Sequence, residues 1–375
     1  MKLMWTSVAP YVPSGYGTTT RNTVSRLIKK GWNVAVYGIY GHGGSPITVD
    51  GIKVYSSANS PAQTPAHLVE CCKDFDADTM IVHHNIWQYP WLSSISDRII
   101  GFIPVDRNPI HPDALKIYRG LWKNVSQSDW GRQVLLKYGI NAPVIPGGVD
   151  TQTFKPVSVV NRNRIRAEMG IPEDAFLISS IGVNSGPRKQ FHRLIPAFER
   201  FAKANPNAHL YLHTHPTGNV PEAPGYDLPA IAQSIGIKDR VHFPTMPSWG
   251  VSDNLLSLMY AASDVYINVS SRGGFEIPII EAMACGIPVI TQNFGPMGDL
   301  ISPIAPELLL KPLELVPDGQ SGIEAIPSGN EILRVLTLAE KRIWDNNLFV
   351  SRAKDFDYDT VIIPHWEEYL KKVSI

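Results

Sequence analysis

The chain has 375 residues, of which 44% are hydrophobic and 18% are charged, so its composition excludes a disordered protein and favours two folded domains. Lysine plus arginine and aspartate plus glutamate both total 34, and this zero net charge argues against binding nucleic acid by charge alone, although it does not exclude a local basic patch. The cysteines Cys71, Cys72 and Cys285 show no CxxC spacing. Together with the lack of a signal peptide or an apolar run of transmembrane length, they predict a cytoplasmic location.

The beginning of the chain predicts one unit of a parallel, doubly wound sheet. An apolar strand over Lys2 to Ser7, a helix over about Thr18 to Lys30 and a strand over Asn33 to Tyr37 follow one another. The turn between the first strand and the helix has half of the Gly-x-Gly-x-x-Gly nucleotide fingerprint, and both a phosphate or sugar contact and a plain turn remain open. The residues concerned are Gly15, Tyr16 and Gly17.

Polar side chains follow the next two predicted strands, Thr79 to His83 and Ile99 to Val105. The carboxyl ends of parallel strands are where such sheets bind ligands. His83 is followed by His84, but no carboxylate stands at ligand spacing, so we expect contacts to an acceptor or loop packing and no metal site. Asp106 is either a residue on the cleft side of the sheet or the ion-pair partner of Arg107.

The strand–turn–helix pattern starts again in the second half of the chain. Phe176 to Gly182 predicts a strand, Phe191 to Ala204 predicts a helix, and the turn between them contains Arg188 and Lys189. Cations at this point would meet a diphosphate, or they are solvated loop residues. Two such series in tandem predict two Rossmann-like domains.

A second strand, turn and helix follow within 30 residues. Asp264 to Ser270 predicts a buried strand, Ser271 to Gly274 a turn, and Pro278 to Cys285 a helix. A helix N-terminus after a glycine turn offers unpaired N–H groups to a phosphate. We expect Glu281 in the first helical turn, where its carboxylate either accepts hydrogen bonds from ribose hydroxyls or only complements the helix dipole.

The second half resembles the retaining nucleotide-sugar glycosyltransferases of family 4, which have the GT-B fold. Residues 269–289 read VSSRGGFEIPIIEAMACGIPV, similar to the donor-site signature Pro-Ser-x-x-Glu-Gly-Phe-Gly-Leu-Pro-x-x-Glu-Ala-Met-Ala-x-Gly-x-Pro-Val. Residues 146–156, PGGVDTQTFKP, look like the hinge segment of the family. The Arg188–Lys189 turn and the Gly15–Gly17 segment also match, and all the matches occur in the order of the family.

The resemblance implies a role for individual residues. Glu281 matches the ribose-binding glutamate that ends the E-x7-E pair, Lys189 matches the lysine on the donor diphosphate, and Thr245 and Met246 lie where the backbone reads the base. The implied catalytic residues are Asp106, Lys189 and Glu276. The implied donor contacts are Gly15, Tyr16, Gly17, Asn184, Arg188, Lys189, Thr245, Met246, Phe275, Glu276, Ile277 and Glu281. Catalysis in this family needs no metal and no other cofactor, because the leaving diphosphate is stabilised electrostatically.

The chain departs from the family pattern at several positions. The first glutamate of E-x7-E is Gly273 here, while Glu276 occupies a usual glycine, so Glu276 either supplies the missing carboxylate or the sugar is held differently. Val183 replaces a common arginine, and Val105 replaces the histidine that usually precedes Asp106. These changes leave the identity of the donor sugar open.

The sequence therefore predicts a GT-B architecture of two Rossmann-like domains facing each other across a cleft. Residues 1–154 form the acceptor domain, residues 155–356 the donor domain, and the C-terminal helix within 357–375 returns to the first domain. The expected activity moves a sugar from a UDP- or GDP-sugar to a hydroxyl of a carbohydrate, a lipid-linked molecule or another acceptor. A catalytically impaired nucleotide-sugar-binding subunit and a GT-B epimerase or phosphorylase are the alternatives, and a nucleic-acid acceptor is disfavoured but not excluded.

Overall fold

The structure is a computed structural model that describes residues 1–60, 63–218, 224–244, 250–319 and 322–374. The chain divides into two compact units. The first comprises Met1–Gly148, Gly319–Gly322 and Phe356–Ile375, and the second comprises Val149–Asp318 and Ile323–Asp355. The sequence-based boundary after residue 154 lies close to this division, which falls after residue 148.

The first unit is built on a mainly parallel sheet. Its strands lie in the order β3-β4-β2-β1-β5-β6-β7, and all neighbours are parallel except β3 and β4. The strands are β1 (Lys2–Ser7), β2 (Asn33–Gly38), β3 (Ile47–Val49), β4 (Ile52–Tyr55), β5 (Thr79–Val82), β6 (Ile99–Ile103) and β7 (Lys123–Ser126). The central strands are buried along their length, as expected of a sheet covered on both faces.

Helices connect these strands: α1 (Gly15–Lys29), α2 (Thr64–Phe75), α3 (Leu92–Ile95), α4 (Pro112–Gly120) and α5 (Asp129–Leu136). Helix α1 begins three residues before the predicted start at Thr18, and that prediction was wrong. The reason is local, because the Ser14 side chain accepts a hydrogen bond from the Gly17 amide and caps the helix earlier.

The second unit repeats the alternation of helices and parallel strands. Its sheet order is β10-β9-β8-β11-β12-β13, and a separate antiparallel hairpin pairs β14 with β15. The elements are α6 (Val159–Glu168), β8 (Phe176–Ile181), α7 (Phe191–Ala204), β9 (Ala208–His213), α8 (Leu228–Ser234), β10 (Val241–His242), α9 (Asp253–Ala261), β11 (Val265–Asn268), α10 (Ile277–Ala284), β12 (Val289–Gln292), α11 (Gly295–Ile301), β13 (Leu309–Leu310), β14 (Pro312–Pro317), β15 (Ile323–Pro327), α12 (Gly329–Lys341) and α13 (Asn346–Lys354).

The last helix, α14 (Ile363–Val373), belongs to the first unit. Trp366 on this helix is fully buried, and its ring lies 5.5 Å from the ring of Trp5 and 4.9 Å from that of Phe102. The return of the C-terminal helix to the first domain is thereby confirmed. The helix covers apolar residues of β1 and β6 and completes the hydrophobic core on this face of the sheet.

Candidate functional site

Two helix N-termini follow neighbouring strands of the second sheet. β8 leads through a turn into α7, and β11, its neighbour in the sheet, leads through a turn into α10. The residue before each helix, Gln190 and Glu276 respectively, has a left-handed backbone with φ of 54° and 67°. The two turns are joined, because the Ser271 amide donates to the Arg188 carbonyl over 2.8 Å. Both helix N-termini therefore lie at one edge of the sheet, the usual place for an anion site.

The carboxylate of Glu276 holds this edge together. Its Oε2 accepts a hydrogen bond from Lys189 Nζ at 2.6 Å and from Asn268 Nδ2 at 3.0 Å. Its Oε1 accepts from an Arg188 guanidinium nitrogen at 3.1 Å. The Glu276 side chain is only 6% exposed, so this three-way contact is a buried ion-pair network.

Glu276 fills the space that a side chain at position 273 would need. A Cβ atom built on Gly273 would lie 2.5 Å from both Cγ and Oε1 of Glu276. Glycine at 273 is therefore required by the position of the Glu276 side chain. The Glu276 side chain thus folds back over the turn, and its carboxylate lies against Gly273.

Burial and charge act on this network in opposite directions. Burial raises the pKa of the Glu276 carboxyl, but Lys189 and Arg188 outweigh it and lower that pKa to about 2. Burial lowers the pKa of Lys189 to about 8, although the Glu276 carboxylate opposes this change. The Lys189 ammonium is thus a compact cation in a dry site, suited to a phosphate and sensitive to pH in the alkaline range.

Glu281 lies deeper than expected. Helix α10 begins at Ile277, so Glu281 stands in the second turn of the helix, and the prediction of a first-turn position was wrong. Its side chain is buried and accepts a 2.8 Å hydrogen bond from the Tyr260 hydroxyl of α9. The left-handed entry at Glu276 starts the helix one residue before Pro278, which moves Glu281 further from the N-terminus.

Other predicted donor residues of the second unit have different surroundings. Phe275 is buried beside Glu276, and Ile277 is the first residue of α10, so both belong to the same turn. Asn184 is buried, and its side-chain amide donates to the carbonyls of His215 and Tyr226, at 3.1 and 2.7 Å, and accepts from the Tyr226 amide. Asn184 therefore joins two described backbone segments. Thr245 and Met246 lie outside the described residues.

The predicted glycine segment of the first unit forms the first turn of α1. The Gly17 amide is used by the Ser14 cap, and a Cβ on Gly17 would lie 2.1 Å from the Val12 carbonyl oxygen, so this glycine is required by packing. The Tyr16 hydroxyl donates to Asn85 Oδ1 at 3.0 Å. Gly15 is the first residue of the helix. Asp106 belongs to the same unit, at the end of β6, where it pairs with an Arg107 guanidinium nitrogen at 3.1 Å.

The structure thus brings together Arg188, Lys189 and Glu276 and the turn before α10. Sequence reasoning missed Asn268, which donates to the same carboxylate. A signal was present, because Asn268 is the only polar residue in the Val-Tyr-Ile-Asn strand β11 and stands at its carboxyl end.

The family model of glycosyl transferases group 1 matches residues 161–313 of this chain, a segment that includes the whole Lys189–Glu276 network. The resemblance given by the sequence motifs is confirmed at this level.

Curated relatives match part of the chain. The chain is 32% identical over 175 residues to D-inositol 3-phosphate glycosyltransferase of Geodermatophilus obscurus. This alignment covers 45% of this chain and 37% of the relative. It is 28% identical over 218 residues to MMP alpha-(1->4)-mannosyltransferase of Mycolicibacterium hassiacum, covering 57% of this chain and 45% of the relative. The aligned parts span less than half the length of either relative.

Solved structures match the whole chain. Sucrose-phosphate synthase of Thermosynechococcus elongatus superposes with a TM-score of 0.76 at 17% identity and covers 100% of both chains. The Anabaena protein HepE, solved with UDP and glucose, has a TM-score of 0.73 at 18% identity and covers 99% of this chain and 100% of its own. These likenesses show the fold, and the predicted GT-B class with two Rossmann-like domains is confirmed.

Two further features, a membrane-spanning helix and a cluster of metal ligands, are absent from the part of the chain that the structure describes. No described helix is long and apolar enough to cross a membrane. Within the same residues, no group of three or more histidine, cysteine, aspartate or glutamate side chains is placed to hold a metal ion.

Proposed function

We propose that the protein is a retaining glycosyltransferase that uses a UDP- or GDP-sugar and needs no metal. The observation that carries the proposal is the buried network of Lys189, Arg188 and Glu276 between the N-termini of α7 and α10. Two cations and two positive helix ends favour a diphosphate, and the carboxylate beside them suits a group that carries hydroxyls. The family match and the aligned relatives, which are named as glycosyltransferases, support the same activity.

In the proposed reaction, the nucleoside diphosphate leaves with the bonding electrons of the anomeric C–O bond. Lys189 stabilises the negative charge that develops on the diphosphate, in a site where burial strengthens the interaction. The oxygen of the acceptor hydroxyl forms the new bond on the face that the diphosphate leaves, and the hydroxyl proton passes to the departing diphosphate oxygen, so the anomeric configuration is kept. The acceptor is a hydroxyl of a carbohydrate, of a lipid-linked molecule or of another compound.

Glu276 takes the part of the carboxylate that is absent at position 273. Its Oε1 lies 2.5 Å from where the Cβ of a side chain at 273 would be, and the carboxylate is held there by Arg188 at Oε1 and by Lys189 at Oε2. We infer that hydroxyls of the transferred sugar donate to this carboxylate. Asp106 is proposed to contact the acceptor, and it lies at the carboxyl end of β6 in the first unit.

Glu281 is proposed to bind the ribose of the nucleotide. The Tyr260 hydroxyl donates to Glu281 Oε2 and orients the carboxylate. The ribose hydroxyls would donate to the carboxylate as well. A purely structural role in the packing of α9 against α10 is the alternative reading of the same hydrogen bond.

The second candidate function is a nucleotide-sugar-binding subunit without turnover. The observation in its favour is that Glu276 neutralises charge on both Lys189 and Arg188, which leaves less positive charge for a diphosphate. Val183, where relatives often have an arginine, adds no cation. An epimerase or phosphorylase on the same fold gains no support from a particular residue. The expected cytoplasmic location stays a prediction that rests on three free thiols.

A thermal-stability screen tests the proposed donor site. We expect one of UDP, GDP, ADP or their sugar conjugates to raise the melting temperature, since a ligand at about 100 times its Kd stabilises the folded state by about 2.7 kcal/mol. Lys189→Ala should abolish this shift. Lys203→Ala is the matched control, because Lys203 is an exposed lysine on α7 that pairs only with Glu199 in its own helix, and it should keep the shift. An equal shift in Lys189→Ala would remove Lys189 from the donor site.

A further inference from the structure

A cavity of about 280 Å³ lies in the first unit at the carboxyl ends of β5 and β6. Asn85 and Trp87 line it after β5, Asp106 and Arg107 after β6, and Asp113 from the first turn of α4. Its volume is at the lower end of the range for small-molecule sites. The cavity is lined by residues of the first unit, whereas the Lys189–Glu276 network belongs to the second unit.

The charges of the described lining residues favour cations or neutral groups over anions. Asp106 and Arg107 form an ion pair with side chains that are 25% and 12% exposed, so the guanidinium charge is balanced within the wall. The second carboxylate, Asp113, is not balanced by another guanidinium or ammonium of the lining. A phosphate placed here would lose hydration and meet an adjacent carboxylate.

The N-terminus of α4 does not supply an anion site. Asp113 already occupies its first turn and supplies the negative charge that a helix N-terminus attracts. His111 caps the same helix, with its Nδ1 accepting a hydrogen bond from the Asp113 amide at 3.2 Å.

The polar lining residues that follow β5 carry no charge. His84 is buried, its Nδ1 pairs with the Tyr89 hydroxyl at 3.1 Å, and burial lowers its pKa to about 4. Asn85 offers an amide, and Trp87 and Tyr118 supply aromatic surface. Hydrogen-bonding groups of both kinds beside aromatic surface are suited to hydroxyls on an otherwise apolar ring.

We propose that this cavity binds an uncharged, hydroxyl-rich ligand, a sugar or polyol without phosphate, and that the Asp106–Arg107 pair excludes phosphorylated counterparts. The assignment rests on the proposed function in so far as this ligand is the acceptor. The Asp106 carboxylate accepts a hydrogen bond from a hydroxyl of the ligand, and Arg107 holds that carboxylate in place.

Saturation-transfer NMR with the full chain tests the proposal with methyl α-D-glucopyranoside, myo-inositol and glucose 6-phosphate as probes. We expect the neutral probes to bind at least about tenfold more tightly than glucose 6-phosphate, a ratio that corresponds to about 1.4 kcal/mol. Asp106→Asn should weaken the neutral probes and strengthen glucose 6-phosphate, because it removes a carboxylate that accepts hydroxyls and repels phosphate. Asp113→Asn, at a side chain that is 84% exposed and can be changed without loss of folding, should strengthen glucose 6-phosphate as well.

Asp129→Asn is the matched control, since Asp129 forms a comparable ion pair with Arg132 on the surface of the same unit and should change none of the affinities. Tighter binding of glucose 6-phosphate to the wild-type protein, no binding of either neutral probe, or equal affinities in wild type and Asp106→Asn would overturn the proposal. The nucleotide screen on the same preparation separates the two claims. A nucleotide shift without sugar binding sinks the cavity assignment alone, whereas no nucleotide shift sinks the proposed function.

Discussion

Lys189 is the residue whose charge state sets the affinity of the proposed donor site for a diphosphate. It is held at 2.6 Å by Glu276, and burial brings its pKa down to about 8. A diphosphate binds the protonated ammonium, so the affinity is fully present below pH 8 and falls as the pH rises through the pKa of the free protein.

The pH dependence of nucleotide binding follows from this pKa. We expect the Kd for the stabilising nucleotide to rise by about tenfold per pH unit above pH 8, the slope for one linked proton, when it is measured by calorimetry. Lys189→Arg is the control, because a guanidinium stays charged throughout this range and its profile should be flat. Identical profiles for the two proteins would show that another group causes the change.

Single residues also show where sequence reasoning ends. Lys189 and Arg188 were found because a strand and a helix flank them, which is a local pattern. The contact between Lys189 and Glu276 joins residues 87 positions apart, and no local pattern contains it. The buried position of Glu281 likewise depends on Tyr260, which lies on another helix.

At the scale of elements, the turn before α10 has glycine and glutamate in exchanged positions relative to the family pattern. Glu276 has a left-handed backbone with φ of 67°, a conformation that glycine adopts without strain. The φ of Gly273 lies outside the left-handed region, so its backbone accepts a side chain. Each position therefore has the backbone suited to the residue found at the other.

The exchanged variant is the test of this turn. Glu276→Gly alone should lower the donor turnover rate by at least about tenfold, since the carboxylate is lost. Gly273→Glu combined with Glu276→Gly should restore most of that rate, because it returns a carboxylate to the same space on a less strained backbone. The rates are compared by release of the nucleoside diphosphate. A double variant as slow as the single one would mean that the carboxylate at this place does not act on the donor.

Elements with strong local signals were predicted closely. Helix α7 has the predicted bounds, Phe191–Ala204, since its apolar residues follow the helical period and face one side. Helix α1 was predicted to start too late, because the Ser14 cap was not recognised. The short edge strand β3 and the hairpin strand β14 have mostly exposed residues, so they have little apolar alternation by which the sequence could predict them.

At the scale of the whole molecule, the ends of the chain meet in one core. Trp366 of the last helix packs against Trp5 of the first strand and Phe102 of β6. The repeated strand–turn–helix pattern is sufficient to predict two tandem Rossmann-like halves. The family resemblance is needed to predict that the last helix packs on the first half, since the helix's own residues do not indicate which domain it contacts.

Removal of this aromatic contact should destabilise the first unit. We expect Trp366→Ala to reduce the free energy of unfolding of the first unit by about 3–5 kcal/mol, the usual range for a buried aromatic residue. The temperature at which this unit unfolds in calorimetry should fall accordingly. His365→Ala, an exposed neighbour on the same helix, should change stability by less than about 0.5 kcal/mol. Equal effects of the two substitutions would contradict the packing of α14 in this core.

The central claim is that the Lys189–Glu276 site turns over a nucleotide sugar with retention and without metal. The most direct measurement follows the stabilising nucleotide sugar by proton NMR, with EDTA present and acceptor absent. The account predicts slow release of nucleoside diphosphate and of a free sugar whose first-formed anomer has the configuration of the donor, and loss of both in Lys189→Ala. Binding without any release, or release that stops with EDTA and returns with Mn²⁺, would contradict it.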